Sequence, residues 1–200
     1  MKEVFECYYD RYHEKDMEND DLTRMRTILV LKYIEPSSKV LDFGCGQGYT
    51  TALLSRKSSN ITGMDISENA LKKASKNYPE LKFEKTERLR EYAGEFDVIY
   101  CGDVLEHLFD VNEVLNKLHK ALKIGGTIIV TAPYHSLLKN ILICFHNFDT
   151  HFSIEGPHIR FFTEKSLKEV ISKNGFKIIK VKKIGRFFPI YKSLITVAIK

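Results

Sequence analysis

The sequence predicts an α/β fold in which a doubly wound, mostly parallel sheet carries helices on both faces. Strand-like and helix-like segments alternate over residues 39–132, as they do where helices connect parallel strands. The first strand-like run also ends in three alternating glycines, Gly44, Gly46 and Gly48, which permit a sharp turn close to a ligand. The length of 200 residues suits one domain, and we expect it to span 1–200.

The individual elements follow from apolar spacing. Residues 22–34 carry apolar side chains at helical intervals and predict a helix packed through Leu22, Met25, Ile28 and Leu29. Gly125 and Gly126 are expected to end the helix predicted at 110–122. The predicted strands are 39–43, 61–64, 82–84, 96–101 and 127–132; the helices between them are 50–56, 68–77 and 110–122; a helix at 164–174 and an antiparallel strand pair at 176–181 and 194–199 close the sheet.

The segment at about 134–157 is too long for a simple connection and contains a strongly apolar, helix-like stretch. It follows a strand whose carboxyl end faces the ligand crevice in sheets of this kind. We expect a lid or an acceptor-binding wall with its apolar side turned inward. A helix that only covers the core is the alternative. A variant of the first interpretation, in which the apolar stretch also rests on a membrane to reach a lipid acceptor, is disfavoured because Lys139 is the only cation in the stretch.

The glycine spacing excludes the usual dinucleotide fingerprint. Gly-x-Gly-x-x-Gly would place its third glycine at position 49, where this chain has Tyr49. Asp65 ends the second strand about twenty residues after the loop, the interval at which such sheets place a carboxylate over a ribose. Strand, glycine triplet and spaced acid together predict a nucleotide-cofactor site.

These motifs resemble those of class I S-adenosylmethionine-dependent methyltransferases, which have a Rossmann-like sheet with an antiparallel last strand. The resemblance rests on Asp42-Phe43-Gly44-Cys45-Gly46-Gln47-Gly48, Met64-Asp65-Ile66-Ser67, Phe96-Asp97-Val98-Ile99 and Leu122-Lys123-Ile124-Gly125-Gly126. It implies that the three loop glycines line the methionine part of S-adenosylmethionine and that Asp65 holds the ribose. Where many members have an aspartate for the adenine, this chain offers Thr86 or Glu87. The remaining implied cofactor-binding residues are Asp42, Cys45, Ile66, Cys101 and Gly102.

A second group of polar residues follows the fourth strand. If the chain forms a helical turn there, Asp103, Glu106 and His107 share one face. Two carboxylates and an imidazole suit Mg²⁺ or Mn²⁺, provided that a distant ligand completes the set. His158 is the candidate, because the chain returns toward the crevice after the insertion.

This pattern is also similar to two metal-assisted groups, the ubiquinone-pathway O-methyltransferases and the small-RNA 3′-terminal 2′-O-methyltransferases. That similarity implies Asp103, Glu106, His107 and His158 as metal ligands, although the first acid is more often Glu there. Metal-independent methyltransferases also carry a Glu-His-Leu turn, so His107 or His158 acting as a base without metal is an equal alternative. A purely structural role for these residues is the third alternative.

Composition limits the partners and the compartment. The formal net charge is +5, but basic and acidic residues are interspersed, so a nucleic-acid partner is not favoured. Four scattered cysteines without a Cys-x-x-Cys pair argue against a disulfide framework and predict a cytoplasmic protein. No apolar run is long enough to span a bilayer.

The predicted function is O-methylation of a small-molecule acceptor with a nonpolar part. The alternatives are 2′-O-methylation of an RNA 3′ end and a cofactor-binding protein without catalytic activity.

Overall fold

The computed structural model describes residues 21–146, 148–152 and 158–200. Its centre is a seven-stranded sheet with helices on both faces. The strands are β1 (Val40–Phe43), β2 (Ile61–Asp65), β3 (Lys82–Lys85), β4 (Phe96–Gly102), β5 (Leu122–Pro133), β6 (Lys177–Ile184) and β7 (Ser193–Ile199); the helices are α1 (Asp21–Val30), α2 (Tyr49–Ser55), α3 (Glu68–Asn77), α4 (Val111–Ala121), α5 (Leu137–His146), α6 (Phe148–His151) and α7 (Glu164–Lys173); 3₁₀ turns lie at Leu31–Tyr33, Thr86–Glu91 and Leu105–His107.

The strand order confirms the predicted fold class. It is β3-β2-β1-β4-β5-β7-β6, in which β1 to β5 are parallel and β7 runs antiparallel to both of its neighbours. The sequential order of the strands changes direction between β1 and β4: β2 and β3 lie on one side of β1, and β4, β5, β7 and β6 lie on the other. The carboxyl ends of these two strands therefore frame a crevice, the usual ligand position in open α/β sheets.

The core occupies both faces of the sheet. One apolar cluster is built on Leu41, Phe96 and Ile99 and extends to α4 and α7, and a second surrounds Val40 and Ile129 under α1 and α2. The central strands β1 and β2 are buried along their whole length, as expected for strands covered on two sides. The edge strand β6 instead exposes lysines, which discourages pairing with another sheet.

Helix α1 packs differently from the prediction. Its buried residues are Thr23, Arg26, Thr27 and Val30, whereas Met25 and Ile28 are exposed. Arg26 is buried because it points into the sheet edge, where its guanidinium finds hydrogen-bond acceptors. The predicted apolar face was therefore wrong for Met25 and Ile28 only: Leu22 and Leu29 are half-buried, and Leu29 packs against the core.

The start of β5 also differs from the prediction. Helix α4 ends at Ala121 rather than at the glycine pair, and the strand follows immediately. The pairing shifts between Leu122 and Thr127, so Gly125 lies in an irregular stretch of the strand with φ of +76°. Its amide donates to the carbonyl of Lys200, so the glycine serves a bulge and not a helix end.

Helix α5 occupies the predicted insertion but buries none of its residues in the part of the chain that the structure describes. Leu137 and Phe145 are each 80% exposed, and Leu138, Ile141 and Leu142 also face solvent. The expectation that this stretch turns its apolar side inward was wrong. Within the described residues, no helix combines the length and apolar character needed to cross a bilayer.

Candidate active site

The loop after β1 adopts the backbone that its glycines allow. Gly44, Gly46 and Gly48 have φ of +81°, +53° and +87°, a region that is costly for residues with a side chain. A Cβ on Gly48 would also lie 2.8 Å from Cζ of Phe83. The loop is fixed to the end of β2 because the amides of Gly44 and Cys45 donate to the carbonyl of Met64.

Asp65 stands beside this loop at the end of β2. One carboxylate oxygen accepts a hydrogen bond from the Gly46 amide at 2.8 Å, and the other accepts from the Ser67 amide at 2.9 Å. Each oxygen keeps a second lone pair, which can accept from a ribose hydroxyl. A hydrogen bond thus joins the glycine loop directly to Asp65, the acid that the sequence analysis assigned to the same site.

Asp42 lies fully buried beneath the loop. Burial raises its pKa from 3.8 to about 7, and the nearby charge of Asp65 also raises the pKa, while a hydrogen bond from the Thr51 hydroxyl at 2.6 Å opposes the shift. Burial likewise raises the pKa of the Cys45 and Cys101 thiols. Both cysteines are therefore protonated packing residues.

The remaining predicted cofactor residues lie along the same edge of the sheet. Ile66 is half-buried directly after β2, and Gly102 ends β4. Thr86 is half-buried and Glu87 exposed at the start of the 3₁₀ turn after β3. Since parallel strands end at one edge, these residues surround the crevice; their contacts with a cofactor stay predictions.

The acidic turn after β4 is not the continuous helical face that the spacing suggested. Asp103 has φ of +52°, so the chain reverses before the 3₁₀ turn that holds Glu106 and His107. The Asp103 carboxylate is instead paired with the Arg26 guanidinium and accepts a hydrogen bond from the Thr131 hydroxyl at 3.0 Å. Arg26 donates further to the hydroxyl of Ser193 at 3.2 Å. No sequence signal marked this buried arginine.

Three of the four predicted metal ligands do meet. One ligand atom from each of Glu106, His107 and His158 lies within 4.8 Å of the other two. The rings of the two histidines are 4.9 Å apart between centroids, and Nε2 of His107 is 4.0 Å from Oε1 of Glu106. His158 reaches this point because the amides of Ile159 and Arg160 donate to the carbonyl of Glu106 at 3.0 and 3.1 Å.

The electrostatics of this cluster are unusual. The Glu106 side chain is fully buried, and within the described part of the chain neither of its oxygens has a hydrogen-bond partner. Burial, followed by the charge of Asp103, raises the pKa of Glu106 well above its ordinary value. Burial and the neighbouring His107 lower the pKa of His158 to about 4. His158 is therefore neutral at pH 7, so its lone pair is available to a metal ion, although the lowered pKa makes it a weak proton acceptor.

An aromatic wall adjoins the cluster. His135 is buried directly after β5, and its ring lies 5.0 Å from that of Phe161 and 5.5 Å from that of His151. Its Nδ1 is 3.0 Å from the amide oxygen of Asn140, which favours the tautomer with a free lone pair on Nε2. The ring of Phe152 stacks edge-on against Phe161 at 5.2 Å.

A family model described as a methyltransferase domain matches residues 9–181, and the chain belongs to this family. The resemblance to class I S-adenosylmethionine-dependent methyltransferases is therefore confirmed. The class uses S-adenosylmethionine, so the predicted cofactor is confirmed as well.

Two curated relatives are similar to this chain. The ubiquinone biosynthesis O-methyltransferase of Psychrobacter arcticus is 31% identical over 102 residues, which cover 46% of this chain and 40% of that protein. The trans-aconitate 2-methyltransferase of Deinococcus radiodurans is 28% identical over 170 residues, which cover 82% of this chain and 63% of that protein. The chain thus spans 40% and 63% of the lengths of these two relatives.

Solved structures agree on the fold. The magnesium protoporphyrin IX methyltransferase of Synechocystis, which was solved with bound S-adenosylhomocysteine, superposes with a TM-score of 0.74 at 19% identity over the full length of both chains. A putative methyltransferase from Haloferax volcanii, in complex with the activator Trm112, gives a TM-score of 0.73 at 19% identity and covers 96% of each chain. At such identities the likeness concerns the fold alone.

Proposed function

We propose that this protein transfers a methyl group from S-adenosylmethionine to a hydroxyl oxygen of a small molecule with a nonpolar part. The observation that carries the proposal is the buried, unpartnered Glu106 carboxylate beside His107 and His158. A buried carboxylate without hydrogen bonds is costly, and a ligand that fills the crevice would offset that cost. A hydroxyl acceptor also needs a group that takes its proton, and this cluster contains two imidazoles.

The cofactor residues fit the donor. The positive-φ glycine loop allows a close approach, and Asp65 keeps lone pairs for the ribose hydroxyls. S-adenosylmethionine supplies an already activated methyl group, so the protein mainly has to align the acceptor and exclude water. We place the acceptor between the cluster and the wall of His135, Phe161 and Phe152, whose rings suit a nonpolar or aromatic body. The segment at 134–157 stays a proposed lid; residues 147 and 153–157 lie outside the described part of the chain.

Two routes for the acceptor proton remain in the proposal. In the first, neutral His158 or His107 accepts the proton directly. In the second, Glu106, His107 and His158 hold a divalent cation, which lowers the pKa of a bound hydroxyl. With two imidazoles and one carboxylate, and with Asp103 occupied by Arg26, the donor set suits Mn²⁺ better than Mg²⁺.

The test is release of S-adenosylhomocysteine that depends on an added acceptor, measured with alkyl-substituted phenols, sugars and RNA 3′ ends. We expect turnover with the phenols. The His158→Ala variant should lose roughly 10²- to 10⁴-fold in kcat while its calorimetric affinity for S-adenosylmethionine is kept. His119→Ala is the matched control, because His119 lies on α4 against Phe176 and away from the crevice.

Metal dependence separates the two routes. A chelator that abolishes turnover, with activity restored by Mn²⁺, would establish the cation route, and full activity in the chelator would leave the histidine as base. Turnover confined to RNA ends would replace the proposed acceptor class. Cofactor binding without turnover on any acceptor would favour the non-catalytic alternative.

A further inference from the structure

The exposed apolar side chains of this protein are concentrated near the mouth of the crevice. Large hydrophobic residues rarely gather on the surface of a soluble monomer unless something covers them. We define the apolar face as the exposed residues of α5, α6 and the loop 185–192. They are Leu137, Leu138, Ile141, Leu142, Phe145, Phe148, Phe187 and Phe188.

The two parts of this face are connected by a half-buried lysine, Lys139. The Lys139 ammonium donates to the carbonyl of Tyr134 at 2.6 Å and to that of Tyr191 at 3.0 Å. These bonds fasten α5 to the end of β5 and to the loop that carries Phe187 and Phe188. The apolar residues of α5 and those of the loop 185–192 therefore belong to neighbouring segments that Lys139 connects.

Charge is distributed unevenly along the chain, and this distribution indicates which kind of partner the apolar face binds. Residues 170–200 contain no acidic residue and eight basic ones: Lys173, Lys177, Lys180, Lys182, Lys183, Arg186, Lys192 and Lys200. The preceding 169 residues contain 23 basic and 26 acidic residues, so they are acidic overall. The formal net charge of +5 therefore comes from the basic terminal segment, where the charges are not interspersed.

Some of these cations lie beside the apolar face. Strand β6 is parallel to β1–β5, so its carboxyl end and the loop 185–192 lie at the crevice edge of the sheet. Arg186 and Lys192 are exposed in that loop and flank the exposed Phe187 and Phe188 along the chain. Aromatic and aliphatic anchors next to exposed cations are the pattern of a surface that lies on an anionic bilayer.

We propose that the apolar face docks this protein on the surface of an anionic membrane, with the crevice mouth turned toward the lipid. The apolar side chains would enter the boundary between headgroups and acyl chains, while Arg186 and Lys192 contact anionic headgroups. Nucleic acid suits the surface less well, because α5 presents mainly aliphatic side chains where stacking rings or polar groups would be needed. The proposal does not depend on the acceptor, since docking needs no methyl transfer.

The test is flotation of the full chain with vesicles of phosphatidylcholine, with and without phosphatidylglycerol. We expect binding to the vesicles that contain phosphatidylglycerol, and less binding as salt is raised. The variant Phe187→Ser/Phe188→Ser should reduce the partition coefficient at least roughly tenfold, because two rings that would enter the bilayer are lost. Ile124→Ser is the matched control: Ile124 is 94% exposed, but it lies near the start of β5, at the opposite edge of the sheet.

A double charge-reversal variant measures the electrostatic contribution to vesicle binding. Arg186→Glu/Lys192→Glu should weaken binding to anionic vesicles, whereas Lys165→Glu, at an 86% exposed side chain on α7, should change it far less. Leu137→Ser gives a second apolar variant if the phenylalanine pair does not fold, as judged by circular dichroism.

Several results would overturn the proposal. These are no flotation of the wild-type chain, equal binding to neutral vesicles, or binding that the apolar variants leave unchanged. A concentration-dependent dimer that the phenylalanine variant abolishes, without vesicle binding, would identify the face as an interface between two copies. Salt-sensitive binding to RNA without flotation would identify a nucleic-acid surface.

Discussion

Asp65 accepts hydrogen bonds from the amides of Gly46 and Ser67, and each of its oxygens keeps a further lone pair. The same carboxylate therefore shapes the glycine loop and can bind a ribose. At the scale of single residues, one carboxylate can therefore both hold the loop backbone and bind a ligand.

The variant Asp65→Ala should weaken S-adenosylmethionine binding by about 1–3 kcal/mol, because the ribose hydroxyls lose a charged acceptor. Isothermal titration calorimetry measures the change. Glu80→Ala removes an exposed acid of the same charge and should leave the affinity as it is. An unchanged affinity in Asp65→Ala would refute the ribose assignment.

Asp42 predicts a pH dependence of stability. Its pKa in the folded protein, about 7, lies above its ordinary value of 3.8 because burial disfavours the charge. The folded state thus holds this proton more tightly, and the stability it contributes is present below about pH 4 and is lost as pH rises through 7. The loss across that range is on the order of 3–4 kcal/mol.

The variant Asp42→Asn cannot titrate, so its free energy of unfolding should fall less between pH 4.5 and pH 7.5 than that of the wild type. Urea unfolding at the two pH values measures this difference. Asp149→Asn, at an exposed position, should retain the wild-type slope. Parallel slopes for wild type and Asp42→Asn would contradict the assignment.

At the scale of elements, residues 158–163 connect the two halves of the candidate acceptor site. Ile159 and Arg160 bind the carbonyl of Glu106 through their amides, and the carbonyl of Phe162 accepts from the amide of His135. Thr163 then begins α7 with a capping box, in which its hydroxyl accepts from the Ser166 amide at 3.1 Å. The segment that carries His158 is therefore followed directly by the capped first turn of α7.

Replacing Thr163 with alanine should lower the free energy of unfolding by about 1 kcal/mol, because the first turn of α7 loses its cap. Thr163→Ser keeps the hydroxyl and should lose much less. Urea unfolding of the three proteins gives the comparison. Equal losses in both variants would show that the methyl group, and not the cap, matters.

At the scale of the whole molecule, Arg26 joins α1 to the crevice edge of the sheet. Its guanidinium pairs with Asp103 after β4 and donates to Ser193 in β7, and Thr131 in β5 donates to the same aspartate. One buried side chain thus links a helix to residues from three neighbouring strands.

The variant Arg26→Met should lower the free energy of unfolding by about 1–3 kcal/mol. The loss is less than for a fully buried pair, because the Asp103 side chain is 31% exposed and water can partly replace the arginine. Denaturant unfolding measures it. The double variant Arg26→Met/Asp103→Asn should recover part of the loss; strictly additive effects would show that the pair is not coupled.

Much of the fold could be predicted because local patterns and the fold agree. Buried parallel strands produce near-continuous apolar runs, and the glycine spacing reflects a backbone requirement within seven residues. The packing of α1 could not be predicted, since its apolar residues follow helical spacing while the sheet edge offers Asp103 and Ser193 to Arg26. The exposure of α5 could not be predicted either, because periodicity identifies an apolar helix but not what covers it.

The sequence alone determined the cofactor side of this protein: the order of strands and helices, the three-glycine loop and the acid at the end of β2. These depend on short-range backbone geometry, which neighbouring residues specify. Only the tertiary structure brought His158 to Glu106 and His107, removed Asp103 from that group, and placed the basic terminal segment beside the exposed face of α5. These depend on contacts between residues that are far apart in the chain, and only the packing of the whole sheet brings them together.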